Sequence, residues 1–193
     1  MVLRIELQDR YSRLELLLRT LFGWLYILAP HVILLAIFGL WSAILSFIAF
    51  WVILFTGRYP ESMFEYQVSI QFWAMRLNAS LYNLVDGYPA LMPGGQSDVV
   101  AVDIPYPEHL GRGHLLLKIL FGQIYCVLPH SVVLYFRLIV TTVLMFLAWW
   151  VVLFAGTYPV SWHAFNVGTL RWSLRLGLYM NNMTDEYPPF SGQ

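Results

Sequence analysis

The stretch LFGWLYILAPH (residues 21–31) occurs again, with changes, as LFGQIYCVLPH (residues 120–130). Both belong to a longer ungapped repeat, in which residues 13–89 align with residues 112–188 at an offset of 99 positions (112 − 13 = 99). Each copy contains a long apolar tract, a Tyr-Pro pair, a stretch of mixed polarity and a closing Asp-x-Tyr-Pro motif. The sequence therefore predicts one structural unit present twice.

The composition is typical of a membrane protein. Hydrophobic residues make up 59% of the chain and charged residues only 11%, whereas soluble domains contain about 25% charged residues. We therefore expect an integral membrane protein whose first partner is the lipid bilayer. The formal net charge of zero argues against a nucleic-acid partner. A single cysteine, Cys126, excludes an intrachain disulfide.

The apolar tract of each copy can be divided in two ways. One interpretation makes a single membrane span of the part that follows Pro30 or Pro129. The other divides each tract into a helical hairpin, with helices at roughly 16–37 and 40–56 and at roughly 115–136 and 139–155. Helices of these lengths can cross a hydrocarbon core of about 30 Å.

The charged residues favour the hairpins. In a single span Arg137 would lie inside the hydrocarbon, where an unpaired arginine costs several kcal/mol, whereas at a hairpin tip it reaches the headgroups. Ten of the eleven Lys and Arg residues lie away from the tips, which is a strong positive-inside bias. We therefore predict an all-α protein with four transmembrane helices, arranged as two parallel tandem hairpins with both termini in the cytoplasm.

A third helix is predicted in each copy after the Tyr-Pro pair. Gly57 and Gly156 can end the preceding helix in a left-handed conformation. The new helix, about 63–84 in the first copy and 162–183 in the second, is too polar to span a membrane and too apolar to be free in solution. We expect an interfacial amphipathic helix that lies along the cytoplasmic leaflet or packs under the bundle.

The remaining segments complete the domain organisation. Residues 1–12 form an N-terminal cytoplasmic segment, 13–89 the first repeat, 90–111 a cytoplasmic connector and 112–193 the second repeat. The connector sequence VVAVDIPYP (99–107) alternates like a strand. It can form a short β-pairing with VLRIELQD near the N-terminus.

His31 and His130 are the most suggestive polar pair, since each directly follows a proline inside an apolar helix. Histidines at such positions can bind haem or a metal, or relay protons. The structural alternative is that each imidazole hydrogen-bonds the carbonyl that the proline leaves free. The sequence favours the structural role and predicts no metal site and no cofactor.

Five further residues are candidates for contacts with a lipid phosphate or a partner: Arg76, Arg171, Arg175, Asp86 and Asp185. The arginines can hold a phosphate group or pair with the acidic residues near the end of the third helix. The aspartates are better explained as acceptors for backbone N–H groups at the turn. No nucleophile elbow and no phosphate-binding loop is present, so no enzyme activity is predicted.

Four stretches of the second copy carry a resemblance to a known family: VVAVDIPYPEHLGR (99–112), WWVVLFAGTYP (149–159), LRWSLRLGLYM (170–180) and TDEYPPF (184–190). They resemble the bacterial membrane-protein family known as domain of unknown function 4389. The whole chain is similar to two tandem copies of it, and the first copy departs further, for example with Phe72 where the second has Arg171. The resemblance implies a bacterial inner-membrane protein and brings no catalytic residues.

Three functions remain open. The leading expectation is a non-catalytic accessory or scaffold subunit that binds other integral membrane proteins or further copies of itself. The first alternative is a small transporter or lipid-handling protein with a pathway between the repeats, which requires a polar cavity containing His31 and His130. The second is a haem-binding redox subunit that uses the same histidines.

Overall fold

Each repeat consists of one long helix and one shorter helix that folds back along it. The computed structural model describes residues 1–193, and its elements follow in chain order: β1 Val2–Ile5, α1 Arg13–Gly23, α2 Ala29–Thr56, α3 Glu61–Leu81, β2 Val100–Asp103, α4 Arg112–Gly122, α5 Leu128–Ala155 and α6 Val160–Met180. Helices α1 and α2 are continuous through a π-helical segment, Trp24–Leu28, and form the first long helix, Arg13–Thr56. Helices α4 and α5 form the second long helix, Arg112–Ala155, in the same way.

Both long helices are long and apolar enough to cross a membrane. Each contains 44 residues, which corresponds to about 66 Å at 1.5 Å per residue. That is more than twice the roughly 30 Å thickness of a hydrocarbon core.

The predicted division of each apolar tract into a hairpin is wrong, because α2 continues through Gly39 and α5 through Arg137. One glycine costs a helix only about 1 kcal/mol relative to alanine, which does not end it. Arg137 needs no headgroup, because α6 satisfies it. Its Nε donates to Thr169 Oγ1 at 2.9 Å and its Nη2 to the carbonyl of Phe165 at 3.0 Å.

The prolines account for the π-helical segments. Pro30 has no N–H group and cannot continue the regular pattern of helical hydrogen bonds. In the preceding turn the N–H of Ala29 donates to the carbonyl of Trp24, five residues back. The same widened turn comes before Pro129 in the second repeat. Such bulges commonly mark bends and functional positions in helices.

The predicted helix ends are confirmed. Gly57 has φ 73° and Gly156 has φ 74°, so both adopt the left-handed conformation that glycine allows without a steric penalty. Their N–H groups donate to Ile53 and Val152, four residues back. The Tyr-Pro pairs that follow then reverse the chain into α3 and α6.

Helix α3 packs against α2 and helix α6 packs against α5, in keeping with the second predicted placement, under the bundle. Gln67 of α3 is buried and donates to Ser46 Oγ at 3.0 Å and to the carbonyl of Ser42 at 2.8 Å. Tyr66 donates to the carbonyl of Phe38. The polar groups that suggested an interface face the long helix instead.

The outward side of each long helix is apolar and exposed along its whole length. In the first long helix this side includes Leu14, Leu18, Leu21, Leu25, Val32, Ile37, Leu40, Trp41, Ile44, Phe47, Trp51 and Phe55. The second has a corresponding row from Leu116 to Phe154. We name these two rows the apolar face.

The two long helices are antiparallel to each other, because the start of each lies against the end of the other. The N–H of Tyr11 donates to the carbonyl of Gly156 at 2.9 Å, and the N–H of Leu110 donates to the carbonyl of Gly57 at 2.8 Å. Side-chain contacts repeat the arrangement: Arg13 to the Phe154 carbonyl, Arg112 to the Phe55 carbonyl and Trp149 to Thr20.

The predicted β-pairing is confirmed. Strands β1 and β2 form an antiparallel pair in which Leu3 lies opposite Val102. Leu3, Ile5 and Val100 are buried in a core shared by the two repeats. The pair therefore links the N-terminal segment, the connector and both repeats.

Candidate functional site

The Asp-x-Tyr-Pro motif of each repeat contacts the long helix beside it. We name residues 86–89 the first clamp and residues 185–188 the second clamp. In the first clamp the Asp86 carboxylate accepts the N–H of Ser12 at 2.6 Å, and the Tyr88 hydroxyl donates to the carbonyl of Tyr26 at 3.0 Å. The clamp therefore holds both the start of α1 and the π-helical turn.

The clamp tyrosines compensate for the prolines. The Tyr26 carbonyl lies four residues before Pro30 and would accept its N–H in a regular helix, so the proline leaves it free. Tyr187 donates to the equivalent Tyr125 carbonyl at 3.2 Å. The histidines do not bind these carbonyls, so the structural role predicted for them is wrong in this respect.

His31 and His130 are each bound by a tryptophan of the shorter helix. Both imidazoles are fully buried. Trp73 Nε1 donates to His31 Nδ1 at 2.9 Å, and Trp172 Nε1 donates to His130 Nδ1 at 2.8 Å. Because Nδ1 accepts in both rings, the neutral imidazole carries its proton on Nε2. The sequence contained a signal for these partners, since each tryptophan follows its histidine by 42 positions.

The two histidines differ at Nε2. In His31 this nitrogen lies 3.2 Å from the carbonyl of Pro89, to which it donates. In His130 it is buried without a hydrogen-bond partner, and the ring stacks on Phe190 at 3.9 Å between centroids. Neither histidine is among the residues that line the cavities of about 500 and 90 Å³.

Arg19 and Lys118 are equivalent buried cations that the sequence analysis did not single out. Arg19 Nη1 donates to the Ser80 and Val85 carbonyls at 3.1 and 3.0 Å. Arg19 Nη2 also lies 3.6 Å from the exposed Glu15 carboxylate, whereas Lys118 Nζ forms a closer ion pair with Asp185 at 2.9 Å. The sequence did contain a sign of them, namely a basic residue at the same position of both apolar tracts. A buried charge of this kind requires a partner.

The two clamp aspartates therefore have different environments. Burial raises the pKa of Asp86, and the N–H of Ser12 opposes this only in part. Burial also opposes ionisation of Asp185, but the N–H of Gly111 and the ammonium of Lys118 outweigh it and hold its pKa below the ordinary value. The contacts predicted between these aspartates and Arg76 or Arg175 are absent, because other donors occupy the carboxylates.

Arg76 is enclosed by the connector. Its Nη2 donates to the carbonyl of Met92 at 2.7 Å, and its Nη1 donates to the carbonyls of Gly95 and Gln96. The guanidinium lies 4.6 Å from the centre of the Phe72 ring. Only a small cavity of about 90 Å³ remains beside it.

Arg175 occupies the equivalent position in α6 and has different surroundings. Its Nη1 is buried without a hydrogen-bond partner, and the side chain lines an open cavity of about 500 Å³. The neighbouring Arg171 is used inside the chain, since it donates to the carbonyls of Gly192 at 2.8 Å and Leu3 at 3.0 Å. Arg76 and Arg175 thus each have one buried nitrogen without a partner, and the cavity beside Arg175 is the larger of the two.

Comparison with protein families gives a match for part of the chain. Residues 117–192 match the family described as Domain of unknown function (DUF4389), and the match covers the second repeat alone. No curated protein and no solved structure matches the chain. The second repeat is therefore similar to a family of undescribed function, as its sequence motifs indicated.

Proposed function

We propose that the chain is a non-catalytic accessory or scaffold subunit of a larger complex in the bacterial inner membrane. The observation that carries this proposal is the division of each long helix into two sides. The inward side uses its polar groups within the repeat, as Gln67 with Ser42 and Arg137 with Thr169 illustrate. The outward apolar face is exposed and offers a continuous surface to lipid and to other membrane proteins.

We also propose that the first repeat is a diverged copy of the same family. The two repeats have the same element lengths: an 11-residue helix, a 5-residue π-helical segment, a 28-residue helix and a 21-residue helix. The family match to the second repeat, together with this identity of lengths, supports a duplication.

The segments at both ends of the long helices support a single cytoplasmic layer. Strand β1 pairs with β2, Arg171 binds the Leu3 carbonyl, and Tyr106 donates to the carbonyl of Tyr59 just after the first long helix. We infer that this layer is cytoplasmic, with both termini inside, because positive-inside bias favours that side for the basic residues.

The long helices then lie along the membrane instead of crossing it. A helix of about 66 Å is too long for a simple crossing, and both its ends belong to the same layer. We infer that the apolar face is immersed in the cytoplasmic leaflet, while α3, α6 and the β-pair cover the other side. Amphipathic helices at an interface are stabilised in this way.

Cysteine labelling tests whether the long helices lie in the cytoplasmic leaflet. Gly39 lies at the former hairpin tip and Gly113 at the start of the second long helix, and a Cβ at either position meets no atom within 4 Å. In a Cys126→Ala background, a membrane-impermeant maleimide added to intact cells should label neither Gly39→Cys nor Gly113→Cys. In inside-out vesicles Gly113→Cys should react. Labelling of Gly39→Cys from outside would contradict this seating while leaving the scaffold role open.

Photo-crosslinking tests the scaffold role. A photoreactive amino acid at Trp41 or Phe154, both on the apolar face, should form adducts with particular membrane proteins in irradiated cells. Affinity purification of those proteins in mild detergent should recover this chain in return. Unirradiated cells are the control. Recovery of the chain alone, at every concentration and from both positions, would overturn the proposal.

A further inference from the structure

An arginine lies at each end of the apolar face, at the same position of both repeats. Arg13 Nη2 donates to the carbonyl of Phe154 at 2.9 Å, and Arg112 Nη2 donates to the carbonyl of Phe55 at 2.7 Å. Each carbonyl belongs to the last turn of a long helix, where no N–H group of the same helix can bind it. The hydrogen bond therefore fixes each guanidinium at the edge of the apolar face.

These two arginines use only a small part of their hydrogen-bonding capacity. A guanidinium has five N–H donors, and neither side chain forms a second hydrogen bond. Neither belongs to an ion pair, since the cations paired in the structure are Arg19, His114 and Lys118. Both arginines are exposed. Each therefore presents a positive charge that is held in place, is not neutralised and has free donors.

Stacked aromatic rings lie beside each arginine. The ring centroids of Trp51 and Phe55 are 6.4 Å apart at an interplanar angle of 19°, and those of Trp150 and Phe154 are 6.0 Å apart at 15°. All four rings are exposed on the apolar face. Tryptophan is enriched where a membrane changes from hydrocarbon to headgroups. The rings therefore favour headgroup level for the ends of the long helices and for the two arginines.

The combination of charge and apolar surface favours a phospholipid as the ligand. Guanidinium groups bind phosphate through paired N–H donors, and the apolar face beside each arginine can contact acyl chains. A free phosphate ion would use the charge but not the apolar surface. A helix cap explains the one hydrogen bond that each arginine forms, but it leaves the other donors unused.

We propose that the chain binds two anionic phospholipids, one at each end of the apolar face, with Arg13 and Arg112 donating to their phosphate groups. The inference rests on the proposed placement of the apolar face in the cytoplasmic leaflet, and it names the lipid that is recognised there. Because the long helices are antiparallel, the two sites lie at opposite ends of the pair. They hold both ends at the surface of the same leaflet.

Competition between lipids tests the proposal. The full chain in nonionic micelles is titrated with pyrene-labelled phosphatidylglycerol, and energy transfer from tryptophan reports binding. We expect unlabelled phosphatidylglycerol to displace the probe about fivefold more effectively than phosphatidylcholine, because one arginine near an anionic headgroup supplies about that factor. Inorganic phosphate at the same concentration should not displace the probe.

Glutamine variants separate the lipid contact from the helix cap. In Arg13→Gln and Arg112→Gln the side-chain amide can still donate to the carbonyl, but the charge is lost. Each single change should remove the preference for phosphatidylglycerol from one of the two sites, and the double change should abolish it. Arg13→Lys with Arg112→Lys, which keeps both charges, should retain most of the preference. Arg4→Gln, a change at an exposed arginine of β1, should leave it unaltered.

Three results would contradict the proposal. They are equal displacement by phosphatidylglycerol and phosphatidylcholine, an unchanged preference in the double glutamine variant, and displacement by inorganic phosphate as effective as that by phosphatidylglycerol. The last would identify an anion site that needs no lipid. If the native chain shows no preference but still recovers its crosslinked partners, the lipid sites fail and the scaffold role stands. If the preference is found but no partner is ever recovered, the lipid sites stand and the scaffold role fails.

Discussion

The two repeats have the same helices, but the equivalent histidine and arginine side chains have different hydrogen-bond partners. In the first repeat, both ring nitrogens of His31 are hydrogen-bonded and Arg76 binds three carbonyls. In the second, His130 Nε2 and Arg175 Nη1 are buried without partners. The cavity beside the arginine grows from about 90 to about 500 Å³. Both repeats also contain other buried polar groups without partners, such as Arg76 Nε and His163 Nε2, so the difference lies in which groups are bound.

The difference comes from the short segments that follow the clamps. After the first clamp, Pro93, Gly94 and Gly95 allow the connector to turn over Arg76, and the close approach at Gly95 leaves no room for a side chain. After the second clamp the chain reads Pro189-Phe190, and the aromatic ring packs on the histidine instead. The residues that directly follow the two clamps therefore contact different groups.

We expect the largest difference in the free energy of unfolding between variants of the two buried cations, Lys118 and Arg19. Lys118→Met leaves the Asp185 carboxylate without its cation, and breaking a buried ion pair from one side costs about 3–5 kcal/mol. Arg19→Met should cost less, about 1–3 kcal/mol, because the groups that lose a donor are neutral carbonyls and the solvent-exposed carboxylate of Glu15. Denaturation in micelles followed by tryptophan fluorescence measures both. The double change Lys118→Met with Asp185→Asn should recover part of the loss, and equal losses in the two single variants would break the comparison.

We expect a smaller difference in the free energy of unfolding between variants of the two histidines. Phenylalanine at either position removes the acceptor of a tryptophan N–H. His31→Phe also leaves the Pro89 carbonyl without its donor, whereas His130→Phe leaves no second group unpaired. We therefore expect His31→Phe to lower the free energy of unfolding by about 1–3 kcal/mol more than His130→Phe. A larger loss for His130→Phe would mean that its Nε2 binds an unrecognised group.

The smallest effect concerns pH and has opposite signs in the two clamps. The pKa of Asp185 is lowered from 3.8, so its contribution to stability is present above that value and is lost as the pH falls through the folded-state pKa. The difference in the free energy of unfolding between the native chain and the Asp185→Asn variant should therefore become smaller at acid pH.

The pKa of Asp86 is raised from 3.8, so the native chain loses stability as the pH rises from that value through the folded-state pKa. Asp86→Asn should therefore gain stability relative to the native chain between acid and neutral pH. The free energy of unfolding of each variant, measured relative to the native chain across this pH range, checks both aspartates. If this difference changes with pH in the same direction for both variants, the two clamps do not differ as described.

Several features followed from the sequence because they depend on neighbouring residues. The helix ends at Gly57 and Gly156 were predictable, since glycine adopts the left-handed conformation without strain. The irregular turn before each proline follows from the missing N–H group. The pairing of β1 with β2 was visible as alternation in two short stretches. The equivalence of His31 and His130 was visible in the repeat, but what binds them was not.

The amino-acid sequence alone thus determined the duplication, the apolar helices and the positions of their ends. Only the tertiary structure decided that each long helix continues through Gly39 or Arg137, that the two long helices are antiparallel to each other, and that Arg175 lies beside a cavity of about 500 Å³. The physical reason is the same for all three. Each depends on hydrogen-bond partners far away in the chain, such as α6 for Arg137 and the connector for Arg76, and a charge that is costly in isolation is stable once such partners surround it.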